Sequence, residues 1–312
     1  MRKEISKVFK EKKTVKRFFW LFGIIVFFIV INGFFIYFLN PDNYYFFVVK
    51  NIIPYPAFII GNKMVTFSSF EDKVSTNEKI YEIAYRVNFN SGTEGKKNLD
   101  LLKNNTQEEI IDRIIMESLL KTEGTEVSSK DVKNEYESIV NNISSDKEIL
   151  NILKYSSGIK DSDIKDRIYQ NLLTESVKND FLYNLKAKVI LIKPDNPDKD
   201  EDWKTAYQKS QDIYNSIKQG NSSFDAYYAL YGDKNDVIVQ NSGKEYYFAE
   251  EMPKEISDVF YDLKVGEVNE PIKSANGYYI FDVSGLRGYF KGSYDDFMKE
   301  QKKKVRILSF LR

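Results

Sequence analysis

The chain has 312 residues, with 46 Lys/Arg against 46 Asp/Glu and neither histidine nor cysteine. That length holds about two domains. The missing cysteines exclude disulfides, thiolate metal sites, a Cys nucleophile and a Cys-anchored lipid. The missing histidines remove the usual general base and the commonest zinc ligand. No Asp-rich calcium-type loop is present, and nothing calls for a metal or another cofactor. Residues 1–17 hold eight Lys/Arg and two Asp/Glu, a net of +6, so the rest is near −6. That balance gives no reason to expect nucleic-acid binding.

Phe18 to Leu39 is 22 residues without a charge, long enough as a helix to cross a hydrocarbon core of about 30 Å. Residues 1–17 form a basic tail before it. The positive-inside rule keeps that tail cytoplasmic and places the chain from about residue 41 onward outside. The expectation is a single-pass protein of the cell membrane. A cleaved signal peptide is the competing reading. Its apolar region would be shorter, about 7–15 residues, and Phe38-Leu39-Asn40 is no small-x-small cleavage site.

Residues 44–70 are aromatic and β-branched. Ala57 to Ile60, the Gly61-Asn62 turn and Met64 to Phe67 read as a hairpin feeding a helix from about Ser69. Residues 88–105 are polar and read as a loop. Thr106-Gln107-Glu108-Glu109 has the form of a capping box and predicts a helix start. Ile110, Ile111, Ile114, Ile115, Leu119 and Leu120 then share a face. A second helix opens near Ser128, with Val132, Tyr136, Ile139 and Val140 facing inward. Two more are expected near 146–156 and 162–183.

The next stretch alternates. Ala187 to Ile192 reads as a strand, and Trp203 to Ile217 as a helix stopped by Gly220. Phe224 to Tyr231 is a shorter helix, and Asp236 to Gln240 a strand. Pro253 opens a helix carrying Ile256, Val259, Phe260 and Leu263. Val268 to Ile272 and Tyr278 to Val283 form strands across the turn signal Asn276-Gly277. The order describes a small α+β domain.

The motifs of this stretch resemble the parvulin (PpiC) type of peptidyl-prolyl isomerase domain. Leu263-Lys264-Val265-Gly266-Glu267-Val268 matches the family's leucine-x-x-glycine-glutamate-valine in full. Met252-Pro253 matches its methionine-proline turn, and Gly220 to Tyr228 its second helix loosely. Ala187 to Leu191 and Gly277 to Ile280 match two strand motifs except at their histidines. The resemblance covers about a third of the chain. The preceding block resembles the chaperone domain of the SurA and PrsA family of extracytoplasmic folding factors. It does so through the Pro54 to Asn62 entry, the Ile-rich helix, the Val127-Ser128 step and Tyr155 to Gly158.

These resemblances imply an α+β architecture in five parts. They are the tail at 1–17, a transmembrane helix at 18–39, a mostly helical SurA-N-like chaperone lobe at 41–185, a parvulin-like domain at 186–286 and a C-terminal helix at 287–312. The parvulin-like domain implies a four-stranded antiparallel sheet with surrounding helices. The C-terminal helix implies a return to the lobe, although its basic, amphipathic pattern also suits a membrane surface.

In parvulins an apolar pocket grips the proline ring, and two histidines plus a Cys or Asp line its floor. Here those three polar positions fall on Val189, Tyr279 and, near enough, Lys234. The apolar wall falls on Met252, Ile256 and Phe260, with Tyr279 beside them. The same residues also suit a plain core, and sequence leaves both readings open. The implied function is a membrane-anchored folding factor that binds unfolded, proline-containing or newly exported polypeptides through a site without its polar groups. A competent peptidyl-prolyl isomerase and a scaffold of an envelope or secretion complex are the alternatives.

Overall fold

A computed structural model describes residues 20, 22–38, 44–143, 159–231 and 247–311. The architecture is α+β, mostly helical. The described residues divide into two compact units. One comprises Met1–Ile114, Tyr136–Lys165 and Lys304–Arg312, the other Ile115–Glu135 and Asp166–Lys303.

In the first unit, α1 covers residues 22–38, and α2 (Tyr44–Ile52) follows. Among the described residues no helix is long and apolar enough to cross a membrane. The described length of α1, 17 residues, rises only about 25 Å. Residues 18, 19, 21 and 39 of the expected span lie outside the described set.

β1 (Pro56–Ile60) and β2 (Lys63–Thr66) form the expected hairpin, with Ile60 opposite Lys63. Gly61 takes φ +57 at its turn, a conformation that costs glycine nothing. α3 (Phe67–Tyr85) starts where the Ser69 N–H donates to the Thr66 hydroxyl at 3.2 Å, an N-cap. Its buried face is Phe67, Phe70, Val74 and Asn77.

Two expectations are corrected here. Residues 88–105 are not a loop: α4 runs Gly92–Thr122. The segment is polar, but its Lys, Leu and Glu residues are good helix formers, and Leu102 is buried. Thr106 therefore sits inside a helix rather than at its start. Its hydroxyl accepts from Asn77 Nδ2 at 3.0 Å, and Glu109 accepts from the same amide at 3.0 Å. Glu109 also pairs with Lys73 at 3.2 Å. The capping-box pattern serves a polar clamp between α3 and α4.

α5 (Ser129–Ile143) begins as expected at Ser128, whose N–H donates to Asp131 Oδ2 at 2.9 Å. The Ser128 hydroxyl, which donates to Asp131 Oδ2 at 2.6 Å, and then that N–H hold the Asp131 carboxyl below its ordinary range. The helix expected near 146–156 lies outside the described residues. α6 (Asp161–Phe181) matches the fourth expected helix, with Ile168, Leu173, Val177 and Phe181 buried.

The second unit is organised on a four-stranded antiparallel sheet. Its strands are β3 (Asn184–Ile192), β4 (Tyr247–Phe248), β5 (Ile272–Ser274) and β6 (Gly277–Arg287), in the order β4-β3-β6-β5. α7 (Asp200–Lys218), α8 (Phe224–Tyr231) and α9 (Lys254–Phe260) surround it. The strand expected at Val268 is displaced: Val268 makes one isolated bridge to Asp282, and β5 begins at Ile272. The strand expected at 236–240 lies outside the described residues.

The C-terminal stretch is not one helix. β6 runs to Arg287, α10 covers Tyr294–Lys304, and β7 (Ile307–Ser309) follows. β7 pairs antiparallel with β1, Ile60 opposite Ile307, giving the order β2-β1-β7. The branched Val305 and Ile307 favour that extended end.

Candidate functional site

Alternation along β3 and β6 sends successive side chains to opposite faces of the sheet. Val189 and Leu191 on β3 share one face with Tyr279, Phe281 and Val283 on β6. Val189 stands opposite Phe281 and Leu191 opposite Tyr279. The Tyr279 and Phe281 rings lie 6.3 Å apart at 19°. α9 crosses this face. Pro253 occupies its N-cap, so its missing N–H leaves no helix bond unmade. Met252, Ile256, Phe260 and Leu263 then descend onto the strands at helical spacing.

The five expected positions Val189, Met252, Ile256, Phe260 and Tyr279 thus meet in one apolar cluster. Met252 is the most exposed of them at 8%, and Ile256 and Tyr279 are at 0%. Lys234 lies outside the described residues. Sequence reasoning did not place Leu185, Leu191, Tyr247, Ala249, Leu263, Phe281 or Val283 in the site, and these complete the cluster. Counting alternate residues along β3 and β6 would have found Leu191 and Phe281.

Among the buried members, only Tyr247 and Tyr279 carry a polar side-chain atom. Burial pushes the Tyr247 phenol up, with smaller contributions from Tyr228 and Glu251. The cluster therefore offers dispersion and apolar contact, with two hydroxyls. Nothing described in it supplies a carboxylate or amine for proton transfer.

The other face buries Ile190, Ile192, Tyr278 and Ile280 against Ala206 and Ile213 of α7 and Phe224 of α8. At its margin Lys188, opposite Asp282 in the register, pairs with Asp225 at 2.5 Å. Burial raises the Asp282 carboxyl against the pull of Lys188. The hydrogen bond to Asp225 raises the Lys188 ammonium. Among the described residues no group of His, Cys, Asp and Glu is arranged to hold a metal ion.

Residues 190–285 match the family described as rotamase, PPIC-type PPIase domain. Two curated relatives are similar. Foldase protein PrsA 2 of Bacillus anthracis is 25% identical over 150 residues, 44% of this chain and 47% of that protein. Foldase protein PrsA 1 of Bacillus cereus is 26% identical over 198 residues, 60% of this chain and 63% of that protein. The chain thus spans 47% and 63% of the length of these two relatives. A crystal structure of peptidylprolyl isomerase PrsA from Bacillus anthracis is 22% identical, with a TM-score of 0.28, over 62% of this chain and 86% of that one. The chain resembles the PrsA-type foldases and carries, at residues 190–285, a match to the PPIC-type rotamase domain.

Proposed function

We propose that the chain is a membrane-tethered protein-folding factor outside the cytoplasm. In this reading it binds unfolded or proline-containing segments of exported polypeptides, and its isomerase-type site works by apolar contact alone. The observation that carries it is that the rotamase match at 190–285 contains Met252, Ile256, Phe260 and Tyr279, which cluster on one sheet face with Val189, the residue just before the match. An X-Pro bond rotates over a barrier of about 18–20 kcal/mol. Lowering it takes preorganised polar groups aimed at the twisting amide. Valine offers none. Gripping an apolar ring needs only the cluster. The tether is supported by the uncharged run from Phe18 to Leu39 behind a basic tail, and by a helix over residues 22–38 that leaves most of its apolar side chains exposed. The basic tail at 1–17, the membrane helix at 18–39, the chaperone lobe at 41–185 and the parvulin-like domain at 186–286 belong to this reading.

A second reading, a competent isomerase, is favoured by the Tyr279 hydroxyl inside the cluster. Both are tested with the full chain in lipid nanodiscs. Cis–trans exchange of a short X-Pro peptide is followed by NMR, and aggregation of an unfolded client by light scattering. Slowed aggregation without faster exchange supports the binding reading. Faster exchange, lost in Met252→Ala, replaces it with the isomerase. No effect on either at molar excess rejects both.

A further inference from the structure

α1 has two sides. Asn32, Gly33 and Ile36 are buried, and Tyr37 is half-buried, at one-turn spacing on one side. That side is joined to the first unit through polar contacts unusual for an apolar helix. Asn32 Nδ2 donates to Phe28 O at 2.8 Å, and the Tyr45 hydroxyl donates to Asn32 Oδ1 at 2.9 Å. The Tyr55 hydroxyl donates to Ile29 O at 2.8 Å, and that of Tyr37 to Pro56 O at 3.2 Å. A Cβ on Gly33 would stand 3.1 Å from the Tyr55 ring, so glycine lets that ring lie against the helix. Asn32, the one amide of the run, and Gly33 beside it are its docking points.

The other side is apolar and open. Trp20, Phe27, Phe34 and Phe38 are exposed there, and before Asn32 every described residue of α1 is exposed. The open surface continues onto α2, where Tyr44 is 81% and Ile52 74% exposed. The one charged residue of α2, Lys50, turns the opposite way. It is buried, pairs with Glu71 at 2.6 Å and lies over the Phe67 ring. The exposed surface from α1 to α2 is therefore uncharged and aromatic-rich, behind a tail of net charge +6.

Resting on the tether proposed above, we infer that this surface is a bilayer seat: α1 and α2 together hold the first unit against the membrane instead of letting it swing on a linker. The partner is a lipid bilayer with anionic lipid on the tail side, where basic residues are attracted. An unsatisfied amide in hydrocarbon is costly. The Tyr45 hydroxyl and the Phe28 carbonyl remove that cost for Asn32 and tie the span to the unit in the same contact. Tyr44 and Tyr45 occupy the level where aromatic side chains collect at a membrane surface. Asn32 lies six residues before Phe38, the last described residue of α1, so the unit's edge reaches about 9 Å down the helix, past the headgroup layer into the outer hydrocarbon.

The chain has no cysteine, so single-cysteine variants of the full-length protein can be labelled without background. Tyr44→Cys, Ile52→Cys and, on exposed α3, Lys79→Cys are each given a fluorophore in phosphatidylcholine–phosphatidylglycerol vesicles. Quenching by lipids spin-labelled near the headgroup is then read. Strong quenching at 44 and 52 with little at 79 is expected. Adding Gly33→Leu to the Ile52→Cys variant wedges Tyr55 away, and quenching should fall to the level at 79 while flotation with vesicles persists. Flotation with no quenching at 44 and 52 overturns the seat and leaves the tether standing. Failure to float overturns the tether and the seat with it. Disulfide-linked dimers of Ile52→Cys in place of quenching mean that a second copy covers the surface, which also overturns the inference. Unchanged quenching in the Gly33→Leu variant removes the helix-to-unit seam as its cause.

Discussion

The two faces of the four-stranded sheet are built from neighbouring residues of the same strands, yet their chemistry differs. Val189 and Phe281 enter a cluster whose buried members are apolar or tyrosine. Lys188 and Asp282, one position away on each strand, form an ionic group with Asp225 at the margin of the other face. Strand alternation alone separates them. The face to which the resemblance assigns polar chemistry has described contacts suited to packing or gripping, and the ions stand behind it. A shift of one residue in either strand would exchange the two environments. The bulge between Lys186 and Ala187 lies before this stretch and leaves its register intact.

The comparison breaks most sharply at α9. Phe260→Ala should destabilise the second unit by about 3–5 kcal/mol and Ile256→Ala by about 2–5, read by denaturant unfolding of the full chain in detergent micelles. Both side chains are almost wholly buried, so truncation opens a cavity. A loss below about 1 kcal/mol would mean that the cluster is already hollow, an open pocket instead of a packed core. Tyr279→Phe is milder. It removes one hydroxyl from a fully buried ring, about 0.5–1.5 kcal/mol in either direction depending on what its partner does. On the binding reading X-Pro exchange is unaltered by this variant; a slower exchange would restore a polar function to this face.

Much of this was legible in the sequence. Helical spacing in Ile256 and Phe260, the turn at Asn276-Gly277 and the short apolar run from Ala187 to Ile192 were each legible, and each element formed. The failures share a cause. The polarity of residues 88–105 suggests a loop, although their Lys, Leu and Glu suit a helix surface, and the helix starts at Gly92. Thr106 and Glu109 fit a cap by spacing, but their partner is Asn77, 29 residues before Thr106, and local pattern carries no trace of it. β7 is invisible for the same reason, because Ile307 gains its partner from Ile60 across the chain. Lys188, Asp225 and Asp282 come from a strand, a helix and another strand, so only the folded sheet assembles them. Asn32 interrupts an apolar run, and only the fold brings it Tyr45 as a partner.

The smallest expected effect tests the ionic side. Burial is the leading reason that the Asp282 carboxyl is raised, Lys188 opposes it and Asp225 adds to it. A raised folded value means that the native state holds the proton more firmly than the unfolded chain does. The associated stability is complete below the ordinary Asp value of about 3.9 and is lost as pH rises through the folded value. Asp282→Asn cannot ionise and escapes that loss. Relative to the parent, the variant should therefore gain at pH 7 over pH 3, by a modest amount because the carboxylate is only partly buried and Lys188 is exposed. Salt then separates the causes. Desolvation is not screened, whereas the attraction of Lys188 and the repulsion of Asp225 are. If burial leads, weakening the Lys188 attraction enlarges the gain in high salt. A gain that shrinks with salt would make repulsion from Asp225 the dominant cause, and the cost on this face would then arise from like charges facing each other across the sheet margin.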